Sequence, residues 1–327
     1  MKKFLVFAVI AAVAAVSCQK NEIPASDPGQ GVPMKLIARI GDATKVTYEP
    51  DGNVLKANWE ATETISVVTL NGSGELVAVD NFTSTGAAGR TKAEFTGTFT
   101  GGATPASVIV IYPALVYDGV QYYNTVPYTD YSGTERHALY NGEVGSMFIQ
   151  GNFTQLKQTA DNDASHLENY CIMSGVANTE DIKTNTLDAT LSNHMIVLKV
   201  TATFPDALKG KTLSQMVINT TDDTDADKGW KRGYSWEYID IPGNGGIWGA
   251  GSGYLSSWTL YSNIVIPATG VVTLYYVGFN FKDLDAGDKL KFTATVDATE
   301  YGPAVKTLAS ALSLDKGKIY RMTVTIP

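Results

Sequence analysis

The sequence predicts an all-β fold, arranged as two tandem β-sandwiches behind an export segment. Three observations predict it. Short runs rich in Val, Ile, Thr and Tyr alternate apolar and polar residues with the two-residue period of a half-buried strand. Clusters of Gly, Asn, Asp and Pro separate these runs at short, regular spacing. No stretch carries a long helical repeat. Only residues 134–139 and 304–312 could supply a helical turn or two. With 327 residues, the chain has room for about two domains.

Composition narrows the function classes. The chain is 44% hydrophobic and 18% charged, enough apolar material for a packed core and too little charge for a disordered chain. Its net charge of -8 repels phosphate backbones, which argues against nucleic acid as a partner.

The N-terminus comes first. Met1-Lys2-Lys3 precedes an apolar run over 4–16 and then Ser17-Cys18. A basic start, a short apolar stretch and small residues before a cut site describe a secretory signal over 1–17. The run is too short for a permanent span. Ala15-Val16-Ser17-Cys18 resembles a lipobox, in which the Cys after the cut carries lipid. Cys18 is thus the expected lipid attachment site, holding palmitate and other acyl chains. A free or disulfide-bonded Cys18 is the alternative. Several acyl chains anchor a protein firmly where one binds only reversibly. Residues 18–33 are polar and rich in Pro and Gly, as a flexible tether would be. With Cys18 lipidated, Cys171 has no disulfide partner; within Tyr170-Cys171-Ile172-Met173 it reads as a small buried hydrophobe.

The strands follow in order. Residues 34–40 place Met34, Leu36, Ala38 and Ile40 on one face and Lys35 and Arg39 on the other. Residues 46–59 read as a hairpin turning at Pro50-Asp51-Gly52-Asn53. Residues 64–70 and 76–82 pair across Asn71-Gly72-Ser73-Gly74. Residues 92–99 and 107–112 continue the series, and Val108-Ile109-Val110-Ile111, apolar on both faces, belongs in a central position. The Tyr-rich stretch 113–150 is expected to spread over the surface, and 157–165 to be a loop closing the first domain. Residues 170–176 form a further strand. A joint near Thr184 divides the folded chain into 34–183 and 184–327. The second half then offers strands at 194–203, 213–220, 261–267, 271–281, 290–297 and 319–326. In the last, Tyr320, Met322, Val324 and Ile326 share one face.

A search for chemistry finds no catalytic constellation and no cofactor loop. Gly243-Asn244-Gly245-Gly246-Ile247-Trp248 puts Trp248 where a dinucleotide fingerprint needs Gly, with no βαβ unit around it. His137, His166 and His194 lack metal-ligand spacing and read as surface or satisfied histidines. Asp223, Asp225 and Asp227 alternate as calcium ligands do. Gly229 comes one place late, however, and Tyr234 stands where a bidentate Glu belongs. A solvated acidic turn is the simpler reading and a looser calcium site the alternative. Trp230, Tyr234, Trp236, Tyr238, Trp248, Tyr254, Trp258 and Tyr261 crowd 229–261; they either pack an insertion or present rings that stack on sugars.

Several stretches together resemble the fimbrillin-like lipoproteins of Bacteroidota, the subunits of type V pili. They are the lipobox leader, Thr44-Lys45-Val46-Thr47-Tyr48 followed by Trp59-Glu60-Ala61-Thr62-Glu63-Thr64-Ile65-Ser66-Val67, residues 191–200, and the ending Leu314-Asp315-Lys316-Gly317-Lys318-Ile319-Tyr320. The resemblance covers nearly the whole chain. It implies two transthyretin-like β-sandwich domains and a non-enzymatic role in a surface fimbrium, anchored in the outer membrane and engaged in cell adhesion. It implies assembly with other pilin subunits by donor-strand exchange. A protease would cut at Lys45, or at Arg39, the nearest Arg. The strand bearing Met34, Leu36, Ala38 and Ile40 would leave. A donor of the pattern Tyr320, Met322, Val324, Ile326 from a neighbour would replace it. Host or bacterial surface ligands are further expected partners, and no cofactor is implied. The alternative reading is a surface glycan-binding lipoprotein that uses the aromatic cluster.

Overall fold

The computed structural model describes residues 31–41, 49–51, 54–56, 58–74, 76–86, 89–117, 156–220, 257–278, 281–315 and 317–327, with short strands between 122 and 151 and between 229 and 255. The leader and the tether up to residue 30, with Cys18, and Lys45, His137, Trp248 and the acidic run 222–228, lie outside the described residues; the end of the stretch expected as tether is strand instead, since Val32 and Pro33 pair with Phe99 and Thr98. The principal strands are β1 (Val32–Ile40), β2 (Thr62–Leu70), β3 (Leu76–Thr85), β4 (Lys92–Phe99), β5 (Ser107–Tyr112), β6 (Leu156–Gln158), β7 (Met173–Ala177), β8 (Thr186–Asn193), β9 (Ile196–Thr203), β10 (Thr212–Thr220), β11 (Ser257–Val265), β12 (Val271–Gly278), β13 (Lys289–Val296), β14 (Thr299–Thr307) and β15 (Ile319–Thr325). Helical structure among the described residues is confined to 3₁₀ turns such as Ser165–Tyr170 and Thr179–Thr184. The fold is all-β, as the two-residue periodicity predicts.

The first assembly runs β1-β8-β7-β5-β2-β3-β4, and β4 returns to β1, so the two layers of strands close into a barrel. The β2–β3 hairpin turns at Asn71, whose carbonyl accepts from Gly74 N (3.0 Å) and whose Oδ1 accepts from Ser73 N (2.9 Å). Gly74 holds φ 78°, a left-handed conformation that suits glycine. Val108, Ile109, Val110 and Ile111 of β5 are all buried between β2 and β7, the central placement expected of a doubly apolar run. Gly175 of β7 is required by proximity: a Cβ there would meet the Thr190 carbonyl of β8 at 2.2 Å.

The second assembly stacks two sheets, β6-β11-β10-β13-β14 and β12-β9-β15. Leu213, Met216, Ile218, Leu260 and Phe292 of the first sheet, and Val200, Leu274 and Tyr276 of the second, are buried. Tyr276 ties one sheet to the other, its hydroxyl donating to the Met216 carbonyl at 3.0 Å. Residues 304–307, where a helical turn was expected, extend β14 instead, because pairing with β13 overrides their weak helical pattern.

Sheet membership changes between β8, in the barrel, and β9, in the second assembly, whereas the sequence places the joint near Thr184. The polar run expected as a loop at 157–165 also departs from that division. Its β6 pairs with β11, and the residues after it cover the outer edge of β12. Gln158 does this with its side chain: Nε2 donates to the Thr273 carbonyl (2.8 Å) and Oε1 accepts from Tyr275 N (2.9 Å). Asp161 Oδ1 accepts from Thr273 N (2.7 Å), and His166 Nε2 donates to the Tyr275 carbonyl (2.9 Å). The Tyr275 hydroxyl donates to Asn162 Oδ1 (2.8 Å) and stays protonated, its pKa pushed up to about 12 mainly by burial. Side chains thus supply the donors and acceptors a neighbouring strand would supply. The two long insertions also meet. Ser146–Gly151 pairs antiparallel with Ser235–Ile239, Phe148 opposite Tyr238.

Candidate functional site

β1 is the strand on which the functional expectation rests. It lies between two partners. It runs parallel to β8, in register from Lys35 opposite Thr186 to Ile40 opposite Leu191. It runs antiparallel to β4, from Val32 opposite Phe99 to Arg39 opposite Lys92. Both edges of β1 are therefore paired, and removing it would open the barrel along two facing strand edges. Such a gap would present unpaired backbone groups on both sides and an apolar floor between them.

The alternation read from the sequence sets the floor. Met34, Leu36, Ala38 and Ile40 point inward and are buried. Their cross-strand neighbours form layers. Met34 lies opposite Gly97, and a Cβ on Gly97 would strike the Phe82 ring at 2.8 Å, so that ring occupies the space. Leu36 lies between Phe95 and Leu187, Ala38 between Ala93 and Ala189, and Ile40 beside Leu191. Each of these neighbours except Gly97 is buried. Burying a Met, Leu or Ile side chain is worth about 1.5–3 kcal/mol. β1 is thus bound strongly by its side chains as well as by two ladders.

The outward face carries charge. Lys35 reaches Glu94 at 2.9 Å, both more than half exposed, an arrangement that contributes little to stability. Arg39 donates to Asp188, and that hydrogen bond is the main reason its pKa is raised. As a processing residue Arg39 is poorly placed: its backbone sits inside both ladders, whereas a protease needs extended, unpaired chain. Lys45 stands in 42–48, outside the described residues. Gly41, at the exit of β1, donates to the Leu191 carbonyl at 2.8 Å.

The expected donor, β15, is held differently. It runs parallel to β9 from Ile319 opposite Val197 to Thr325 opposite Thr203. Met322, Val324 and Ile326 are buried in the chain's own second assembly, and Tyr320 is half-buried. Asp315 N donates to the Tyr320 hydroxyl at 2.7 Å. β15 is the last strand of its sheet, so one ladder holds it where two hold β1. An open groove of about 520 Å³ separates its outer side from β14, lined by Pro303, Val305 and Lys306 on one wall and Thr323, Val324 and Thr325 on the other.

The remaining candidates separate. Trp258 is buried and tilts against Tyr276 with ring centroids 4.9 Å apart, so it serves the core and presents no face to a sugar. Cys171 is buried and accepts a long contact from Asn193 Nδ2 at 3.8 Å. His194 Nε2 meets Ser174 Oγ at 2.7 Å, while the half-buried His166 has a different partner, the Tyr275 carbonyl on the edge of β12. Among the described residues no group of His, Cys, Asp or Glu could hold a metal ion, and no helix is long and apolar enough to cross a membrane. Sequence reasoning missed the edge-covering role of Gln158, Asp161 and His166.

No family model matches the chain, and no curated protein does. Solved structures similar to it include a candidate cell adhesion protein from Bacteroides ovatus, at 13% identity and TM-score 0.48, covering 90% of this chain and 92% of that one. A fimbrial protein from Bacteroides ovatus is similar at 11% identity and TM-score 0.37, over 90% of this chain and 49% of that one. The fimbrial anchor protein Mfa2 from Porphyromonas gingivalis is similar at 10% identity and TM-score 0.34, over 85% and 83%.

Proposed function

We propose that this protein is a structural subunit of a surface fimbrium, exported as a lipoprotein on Cys18 and joined to other pilin subunits by strand exchange. The placement of β1 carries this reading. β1 fills a slot with a facing strand on each side, and its connection forward into the barrel runs through the short segment 42–48. One cut there, at Lys45, turns a covalent strand into a non-covalent occupant. A strand from a neighbour then restores both ladders and the buried floor. Because donor and acceptor surfaces differ, the contact is head-to-tail and extends into a filament. Adhesion to host or bacterial surfaces would be a property of that filament.

The test is limited proteolysis of the full chain with a trypsin-like enzyme, followed by mass spectrometry. Cleavage is expected between residues 41 and 49 and is lost in Lys45→Ala. The cut protein should then take up a labelled peptide of sequence 32–40 in place of its own β1. Resistance of 42–48 to cleavage while the fold is intact, or uptake of label only under conditions that unfold the barrel, overturns the proposal.

A further inference from the structure

We infer that the β1 slot selects its occupant by size at one level, and that it excludes the C-terminal strand of a second copy of this chain. The inference rests on the strand-exchange reading and names the partner that reading leaves open. Three alanines meet at the level of Ala38: Ala93 on β4 and Ala189 on β8 are its direct cross-strand neighbours. Ala38 is wholly buried, and Ala93 and Ala189 are 6% and 2% exposed. The layers on either side are built from large residues, Leu36 with Phe95 and Leu187, and Ile40 with Leu191. An occupant must therefore read large, large, small, large at successive inward positions.

β15 does not read that way. Its inward residues are Tyr320, Met322, Val324 and Ile326. Aligned end to end with Met34, Leu36, Ala38 and Ile40, it sets Val324 among the alanines. Sliding it by two residues in either direction sets Met322 or Ile326 there, which is worse. Sliding it by one turns the other face inward, and Arg321 enters the floor. No register supplies a residue of alanine size. The outward face differs as well: β1 offers Lys35 to Glu94 and Arg39 to Asp188, while the end-to-end register offers Arg321 to Glu94 and puts Thr325 in the place of Arg39, so Asp188 loses its cation. The slot thus fits an extended strand from a different chain. That strand has large apolar residues at its first, second and fourth inward positions, alanine or a smaller residue at the third, and basic residues outward. Inserting two methyl groups into a closed layer weakens binding about tenfold or more.

The test uses the full chain cut within 42–48 and four labelled peptides, with affinity read by fluorescence anisotropy. They are 32–40, 32–40 with Ala38→Val, 319–327, and 319–327 with Val324→Ala. We expect 32–40 to bind best, Ala38→Val to weaken it about tenfold, and Val324→Ala to strengthen 319–327 by a similar factor. Equal binding of 319–327 and its Val324→Ala form, or no loss on Ala38→Val, overturns the size rule and leaves strand exchange standing. Binding of none of the four, 32–40 included, removes strand exchange and the size rule with it.

Discussion

Gln158 and His166 show how much a single polar side chain can carry here. The Gln158 side chain is fully buried, and its Oε1 is the partner of the Tyr275 amide on the edge of β12. Thr273 O keeps a second donor, Asn162 N at 3.1 Å, if Gln158 is cut back. The cost of Gln158→Ala is therefore mainly one stranded buried N–H, about 1–3 kcal/mol. A urea titration should show the midpoint falling with an unchanged slope. No shift would mean that water or a neighbour replaces the amide. His166 Nε2 donates to a carbonyl, which fixes the tautomer and leaves Nδ1 buried without a partner. Burial is the main cause holding its pKa below the usual 6.5. The sign follows. Above 6.5 both folded and unfolded His166 are neutral; below it the unfolded chain takes up a proton that the folded site resists, and stability declines as pH falls toward the folded pKa. This component reaches at most about 1.4 kcal/mol per pH unit. It should vanish in His166→Gln, whose amide can still donate to Tyr275 O, when midpoints at pH 7.5 and 5.5 are compared with those of the parent. An unchanged pH dependence in the variant would rule the histidine out. None of this was legible from 157–165 as sequence. A loop and an edge cover share polar composition, and only the presence of an unpaired strand edge beside the run tells them apart.

At the scale of elements, much was legible because one rule dominates. Period-two alternation marks β1 and β15 correctly, and every inward side chain it names is buried except the half-buried Tyr320, since a one-residue slip would turn every apolar side chain outward. The apolar run of β5 announces its central place for the same reason. What alternation does not reveal is partnership. Met34 and Tyr320 begin similar patterns, yet β1 has a neighbour on both sides and β15 on one. Partnership depends on contacts between residues far apart in sequence, such as Leu36 with Leu187, which no local window contains. The difference is measurable. In hydrogen exchange followed by mass spectrometry, amides of β1 should be as slow as those of β5, at the level of global unfolding. Amides of β15 should exchange faster, because one ladder and an open groove leave the strand free to fray. Equal protection of β1 and β15 would show that the β14–β15 groove closes in solution.

For the whole molecule, the question is how two strand assemblies behave as one body. Among the described residues, three connections link them. The chain passes directly from β8 into β9; β6 and the residues after it leave the first half of the sequence to serve the second assembly; and Ser146–Gly151 pairs with Ser235–Ile239. The second of these couples stability in a specific direction. Leu156–Gln158 lies between the short strands of the first insertion and β7 of the barrel, so barrel unfolding pulls on the cover of β12. Losing that cover exposes Thr273 and Tyr275 backbone groups and loosens β12, the neighbour of β9. The intact chain should therefore unfold in one calorimetric transition, with van't Hoff and calorimetric enthalpies equal. Gln158→Ala, which removes one bond of the cover and leaves Asp161 and His166 in place, should lower this transition without splitting it, with β2 and β12 still losing protection against exchange together. Two resolved transitions in the intact chain would show that the stitch is too weak to couple the assemblies. Under the proposed strand exchange, such coupling would spread force on the β1 slot over the hydrophobic cluster that both assemblies share.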